Sequence, residues 1–208
     1  MRGKFITLEG CEGVGKSRQI RELAAYLTQK GVDFLLTREP GGNPISEQIR
    51  EVILSGKNTA MCDECEALLY AASREQFLRE TVIPALNEGK LVISDRFVHS
   101  SFAYQGYARG LGLDFIEAIN RTAVTEYMPD CTLFFNLSPT EAFKRKGGVD
   151  KGDRVELAGM EFHEKVYAGY LALLDRFPHQ MVSIDCSGSV QNTANNVVSA
   201  LKQRNLIP

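Results

Sequence analysis

The sequence predicts an α/β fold of three layers: a central parallel five-stranded sheet with helices on both faces. Two observations predict it. Five short apolar runs of strand length recur along the chain, and stretches with apolar residues at helical spacing separate them. Strands that alternate with helices pair in parallel, because each crossover helix returns the chain to the same edge of the sheet. A third observation marks the working edge. Polar clusters follow the carboxyl ends of the runs, where open α/β sheets bind ligands.

The elements follow in order. The first strand is Lys4–Leu8, and the helix Ser17–Lys30 presents Ile20, Leu23, Ala24 and Leu27 on one face before Gly31 stops it. The second strand, Phe34–Thr37, precedes helices over Ile45–Leu54 and Glu64–Asn87. The third, Leu91–Ser94, ends in Asp95-Arg96-Phe97, and a helix is expected over Asp114–Thr125. After the fourth strand, Thr132–Asn136, Ser138-Pro139-Thr140-Glu141 supplies an N-cap, a proline at the first helical position and a capping-box glutamate for the helix Pro139–Lys146. The helix Met160–Phe177, the fifth strand Met181–Asp185 and the helix Val190–Arg204 complete the pattern. No linker, repeat or low-complexity stretch intervenes, so residues 1–208 read as one domain. The order of strands in the sheet is not legible at this level.

Composition narrows the function classes. A net charge of −2 points away from nucleic acid as a main partner, and no apolar run reaches membrane-spanning length. The first four residues lead directly into a strand rather than a secretory signal, so a cytoplasmic setting is expected. Five cysteines do not suggest a disulfide framework. Cys62 and Cys65 have C-x-x-C spacing, but no second pair accompanies them and His99, His163 and His179 are scattered. That stretch reads as a loop entering a helix rather than a zinc site. Cys131 and Cys186 read as small buried apolar residues.

Gly10-Cys11-Glu12-Gly13-Val14-Gly15-Lys16-Ser17 fits G-x-x-x-x-G-K-[ST], placed between a strand and a helix. Glycines let successive backbone N–H groups converge on phosphate oxygens, and the following helix turns its N-terminus toward the same anion. Lys16 is positioned for the β- and γ-phosphates of a nucleoside triphosphate, and the Ser17 hydroxyl for Mg²⁺. Asp95, ending a buried strand, has the form of a second Mg²⁺ carboxylate, with a loop cap as the plainer reading. Arg38 and Arg96 end neighbouring strands, and each can fork onto a phosphate. Since the loop already serves a triphosphate, they suggest a second, phosphate-bearing substrate; an Arg38–Glu39 surface pair is the alternative. Lys144, Arg145, Lys146, Lys151 and Arg154 share a segment with Gly147, Gly148 and Gly152. That composition suits a mobile lid over about 144–156, and a solvated charged face is the alternative.

Thr37-Arg38-Glu39-Pro40-Gly41-Gly42, Asp95-Arg96-Phe97, Ala103-Tyr104-Gln105-Gly106 and Asp153-Arg154-Val155-Glu156 follow that loop at spacings that closely resemble the bacterial thymidylate kinase family over essentially the whole chain. The resemblance implies a P-loop kinase that transfers the γ-phosphoryl of ATP to dTMP, giving dTDP for dTTP synthesis, with Mg²⁺. It implies that Arg38 and Arg96 grip the dTMP phosphate, Tyr70 stacks on thymine and Arg74 meets its O4. Ser101 would face the base edge with Gln105 nearby, Tyr104 would sit under the deoxyribose and Glu12 would approach the 3′-hydroxyl. On the ATP side it adds Arg145, Asp185 and Ser187 to the loop residues. A homodimer is implied as well. For Tyr70 and Tyr104 plain packing is the alternative, and for Arg74 a pair with Glu75 or Asp63. Because Cys11, Glu12 and Val14 offer no cation to the γ-phosphate, the lid must supply one; Arg154 is the first expectation and Arg145 the second. The acceptor is itself a phosphate with a second pKa near ~6, so no general base is needed. A deoxynucleoside kinase, which would need a base, and a nucleotide switch, which would want an N-K-x-D motif absent here, are the competing readings.

Overall fold

The computed structural model describes residues 2–147 and 153–208. Its sheet runs β2 (Phe34–Arg38), β3 (Leu91–Asp95), β1 (Phe5–Glu9), β4 (Cys131–Asn136), β5 (Met181–Asp185), all parallel. Every residue of β1 is buried, as a central strand covered on both faces requires. Thr7 and Thr132, polar and wholly buried on β1 and β4, satisfy each other through a 2.8 Å hydroxyl contact. The register sets Leu8 and Arg38 beside Asp95, so the carboxyl ends of β1, β2 and β3 lie in one row. The phosphate-loop sequence, Arg38 and Asp95 thereby share one edge.

The helices are α1 (Lys16–Gln29), α2 (Pro44–Leu54), α3 (Asp63–Phe77), α4 (Ile83–Asn87), α5 (Val98–Ser101), α6 (Leu113–Ile119), α7 (Arg121–Glu126), α8 (Pro139–Lys146), α9 (Met160–Arg176) and α10 (Val190–Gln203). Three differ from expectation. The long helix expected to end at Asn87 is interrupted by a π-type turn over Leu78–Val82. Pro84 lacks an N–H and its ring crowds the carbonyl four residues back, and a widened turn relieves both. The helix expected over Asp114–Thr125 divides at Asn120, whose side-chain amide donates to Ile116 O at 2.8 Å while its Oδ1 accepts from Arg74 at 2.6 Å. α5, with the π-type turn Phe102–Ala108 that continues it, is absent from the sequence reading. Val98, His99 and every residue over 101–106 are buried, so this segment carries no amphipathic period. α9 packs closely on it: a Cβ at Gly169 would stand 3.0 Å from Tyr107 Cβ and 3.2 Å from Ala103 Cα.

Candidate active site

The loop after β1 folds as its glycines permit. Gly10, Gly13 and Gly15 have φ of 143°, 78° and 97°, a region L side chains rarely enter. A Cβ at Gly10 would also lie 3.0 Å from Phe135 O on β4. Gly15 caps α1, and the Lys16 ammonium turns back to donate to Gly10 O at 3.1 Å and Cys11 O at 3.2 Å. The cation is thus braced inside the loop, 7% exposed. Cys11 and Val14 are buried behind it, and burial pushes the Cys11 thiol up to about 12, so it is a packing residue.

This loop forms one end of a cavity of about 690 Å³ lined by Glu12, Gly13, Gly15, Lys16, Ser17, Arg38, Tyr70, Arg74, Asp95, Arg96, Tyr104, Gln105 and Arg145, among others. Most residues picked out in the sequence therefore share one space. Arg96 is its hub. Its Nη2 donates to Glu12 Oε1, and at 3.2 Å to Tyr104 Oη; its Nη1 donates to Ser100 Oγ at 3.1 Å and Tyr170 Oη at 3.2 Å. The guanidinium stands 5.2 Å from the Tyr104 ring centroid. Arg96 also has φ of 73°, a strained setting for a residue with a Cβ, held by its backbone N–H on Leu8 O and its carbonyl on Ser94 Oγ.

Behind Arg96 lies Glu9, which the sequence reading passed over between the first strand and the phosphate loop. It is wholly buried. Its carboxylate accepts from Phe97 N (2.8 Å), Ser100 N (3.2 Å), Ser100 Oγ (2.6 Å) and Tyr170 Oη (2.7 Å), with Arg96 Nη1 at 3.9 Å. Burial raises the Glu9 carboxyl above the usual range, while Arg96 and these donors pull the other way. Its partners sit on the loop after β3, on α5 and on α9, so no sequence spacing announces it.

The ion pairs differ from those the sequence suggested. Arg38 does not pair with Glu39: its Nη2 forks onto Glu47 of α2 at 2.8 and 2.9 Å, half exposed. Glu39 is buried and pairs with Arg74 instead, Nε to Oε2 at 3.0 Å and Nη2 to Oε1. Arg74, 1% exposed, spends a further donor on Asn120 and approaches neither Glu75 nor Asp63 as its partner. Burial pushes the Glu39 carboxyl up, to about 7, against the opposing pull of Arg74.

Outside the loop itself, four expected site residues stand away from the cavity wall. Ser101 does not line the cavity: it is 2% exposed, with a buried hydroxyl that meets no partner among the described residues. One helical step turns it into the core, and Ser100 faces the cavity in its place. Arg154 also points away. Its Nη2 donates to Glu66 Oε2 at 2.5 Å and its Nε to Ile53 O at 2.9 Å, while its neighbours Asp153 and Val155 line the cavity. A cation held on a buried carboxylate does not face the phosphate loop, so in this arrangement the expected clamp is not Arg154. Arg145 does line the cavity and donates to Cys186 O at 2.7 Å and Ser187 O at 3.0 Å. Asp185 and Ser187 lie outside the cavity wall; Asp185 Oδ1 accepts from Ser187 N at 2.8 Å and shapes the turn that receives Arg145. Gly148, Lys151 and Gly152 fall outside the described residues, so the expected lid is seen only at its two ends. Cys62 and Cys65 are exposed at the start of α3, and among the described residues no group of three or more metal-type side chains gathers.

A parallel sheet with this loop after its central strand, and paired guanidinium groups in the same cavity, defines the class: a P-loop phosphotransferase acting on small nucleotides. The comparisons narrow it. A family model described as thymidylate kinase matches residues 8–197. The thymidylate kinase of Clostridium novyi (strain NT) is 47% identical over 203 residues, covering 97% of this chain and 99% of that one. That of Bacillus velezensis is 46% identical over 209 residues, covering 98% and 99%. Among solved structures, the thymidylate kinase of Ehrlichia chaffeensis matches with a TM-score of 0.79 at 29% identity, covering 97% of this chain and 99% of that one. The chain belongs to the thymidylate kinase family.

Proposed function

We propose that the protein transfers the γ-phosphoryl group of ATP to dTMP, giving dTDP for dTTP synthesis. One observation carries this reading. A single cavity joins the phosphate loop to a second set of phosphate- and ring-binding groups, Arg38, Arg96, Tyr70 and Tyr104. A hydroxyl acceptor would call for a base at the reacting atom and no paired guanidinium grip; a switch would need no second pocket.

On this reading Gly10–Ser17 cradles the triphosphate and Lys16 neutralises its transferring end. Arg96 and Arg38 take the dTMP phosphate, and Arg38 is half exposed and so able to share its fork between Glu47 and a ligand. Tyr70 and Gln105 form the base wall with Arg74 behind, and Tyr104 underlies the sugar. Arg145 is the cation best placed for the γ-phosphate. Asp185 and Ser187 act on ATP through the turn that seats it. Positioning and charge neutralisation dominate such transfers, and closing water out prevents hydrolysis. Mg²⁺ fits the site: Asp95 Oδ1 is buried with no protein partner among the described residues, and the Ser17 hydroxyl is open on the same cavity. These two would hold the ion, which supplies charge neutralisation at the phosphates.

The family's dimer remains part of this proposal. The apolar residues Ile116, Ala123, Phe162, Val166, Tyr170 and Leu173 of α6, α7 and α9 are core, while Leu171 is an exposed large apolar residue of α9. Among the described residues no helix is long and apolar enough to cross a membrane. We read the setting as cytoplasmic and the partners as ATP and dTMP, with no nucleic acid.

The test is ADP formation with and without acceptor. Turnover should rise strongly with dTMP and little with thymidine; equal stimulation by thymidine would remove the phosphate grip from the argument. Arg145→Ala should lower kcat by about 10- to 100-fold, the worth of one charge-assisted contact. An arginine that acts on the transferring group leaves the KM for dTMP little changed. A normal kcat in this variant would move the clamp to a residue outside the described segment, Lys151 first.

A further inference from the structure

We propose that Glu66 is a positioning residue that couples occupancy of the acceptor's base wall to the placement of the segment 153–155; the proposal rests on the reading of that wall as the dTMP site. Glu66 sits in the first turn of α3, one turn before Tyr70, and is wholly buried. Its Oε1 accepts from Gln105 Nε2 at 2.9 Å and Arg109 Nε at 3.3 Å. Its Oε2 accepts from Arg109 Nη2 at 3.1 Å and Arg154 Nη2 at 2.5 Å. One carboxylate therefore binds a base-wall amide, a fixed arginine and the arginine of the segment that passes over the cavity.

The charges make the arrangement directional. Two guanidinium groups face one buried carboxylate, and Asp63, 3.3 Å from Arg109, shares part of that load. Arg109 is also fixed by the Phe162 ring, 4.4 Å from its centre. Arg154 is the partner with alternatives, since its other anchor is a single carbonyl, Ile53 O, beside a backbone bond to Leu54 O at 3.3 Å. Asp153 and Val155 flank it and line the cavity, so moving Arg154 moves cavity wall. A ligand that orders Gln105 and Tyr70 sharpens the acceptor geometry at Glu66 Oε1 and holds Arg154 at Oε2. Releasing Arg154 leaves the buried Glu66 carboxylate with Arg109 as its one guanidinium partner, a cost that resists breaking the link.

The experiment reads amide hydrogen exchange over residues 153–158 in the full chain, with and without dTMP, beside dTMP binding by calorimetry. In the wild type dTMP should slow exchange there by about fivefold or more, the lower end of ordinary coupling between sites. In Glu66→Gln, which keeps shape and loses charge, dTMP should still bind but the slowing should vanish. Arg154→Lys, which keeps charge but cannot hold Glu66 and Ile53 O together, should lose it too and serves if Glu66→Gln does not fold. In turnover, the double variant should be no worse than the worse single one, because both remove one link. Effects that multiply, or dTMP protection that survives in either variant, would overturn the coupling, as would wild-type binding without protection. Failure of the wild type to bind dTMP would instead overturn the acceptor reading, and the coupling with it.

Discussion

Lys16→Ala should lower kcat by about 10²–10³, the usual cost of losing one charge donor aimed at the reacting group. The structure adds a second reason for a large effect. The Lys16 ammonium donates to Gly10 O and Cys11 O, so it also holds the loop in the shape its glycines allow. On the proposed reading, removing it takes away the transition-state cation as well as a brace on the cradle. The measurement is kcat and both KM values at saturating Mg²⁺, with the thermal midpoint as a control for folding. A variant that keeps more than about a tenth of kcat would show that the transferring group is neutralised elsewhere.

Arg96→Ala should reduce kcat/KM for dTMP by about 10²–10³, since truncating one partner of a buried hydrogen-bonded charge cluster costs about 2–5 kcal/mol. It should also destabilise the protein, because Glu9 and Glu12 lose their shared cation. The loss should depend on pH, and the sign follows from Glu9. Burial raises its carboxyl and Arg96 opposes that rise. A raised carboxyl binds more protons in the native state than in the unfolded chain across the window above 4.5, so this group's contribution to stability falls as pH rises there. Without Arg96 the native carboxyl rises further, and the destabilisation measured by urea unfolding should be larger at pH 8 than at pH 5. A pH-independent difference would mean that Glu9 does not feel Arg96. Arg96→Gly supplies a separate check on the backbone. At φ 73° a glycine escapes about 1 kcal/mol of strain that alanine keeps, so the glycine variant should be the more stable of the two.

Local chemistry made much of this protein legible in its sequence. The five strands need only short apolar runs, and the observed strands depart from the expected ones by at most one residue at either end. The phosphate loop needs only contiguous residues, since glycines, lysine and serine act through neighbours a few bonds away. Arg38, Asp95 and Arg96 were legible for the same reason: the first two end strands, Arg96 directly follows one, and parallel strands present their ends on one edge. What failed was decided by packing. α5 is buried except at Ser100, which faces the cavity, and a helix without a solvent face has no period to read. Pro84 and Asn120 broke helices that periodicity made continuous.

The partners of charged groups belong wholly to the tertiary structure. Arg38 lies beside Glu39 in sequence but chooses Glu47, and Glu39 turns inward to Arg74, 35 residues away. Arg154 carries a lid-like composition around it but is claimed by Glu66, 88 residues away. Ion pairing falls off with distance in space, and burial strengthens whichever partner the fold brings close. The sequence alone therefore determined which groups this chain carries for the proposed chemistry: a glycine-rich loop with a lysine and a serine, and a carboxylate and guanidinium groups at strand ends. Only the fold decided which of those groups face the cavity, because a single helical step or an alternation along an extended segment turns a side chain from solvent or ligand into the core.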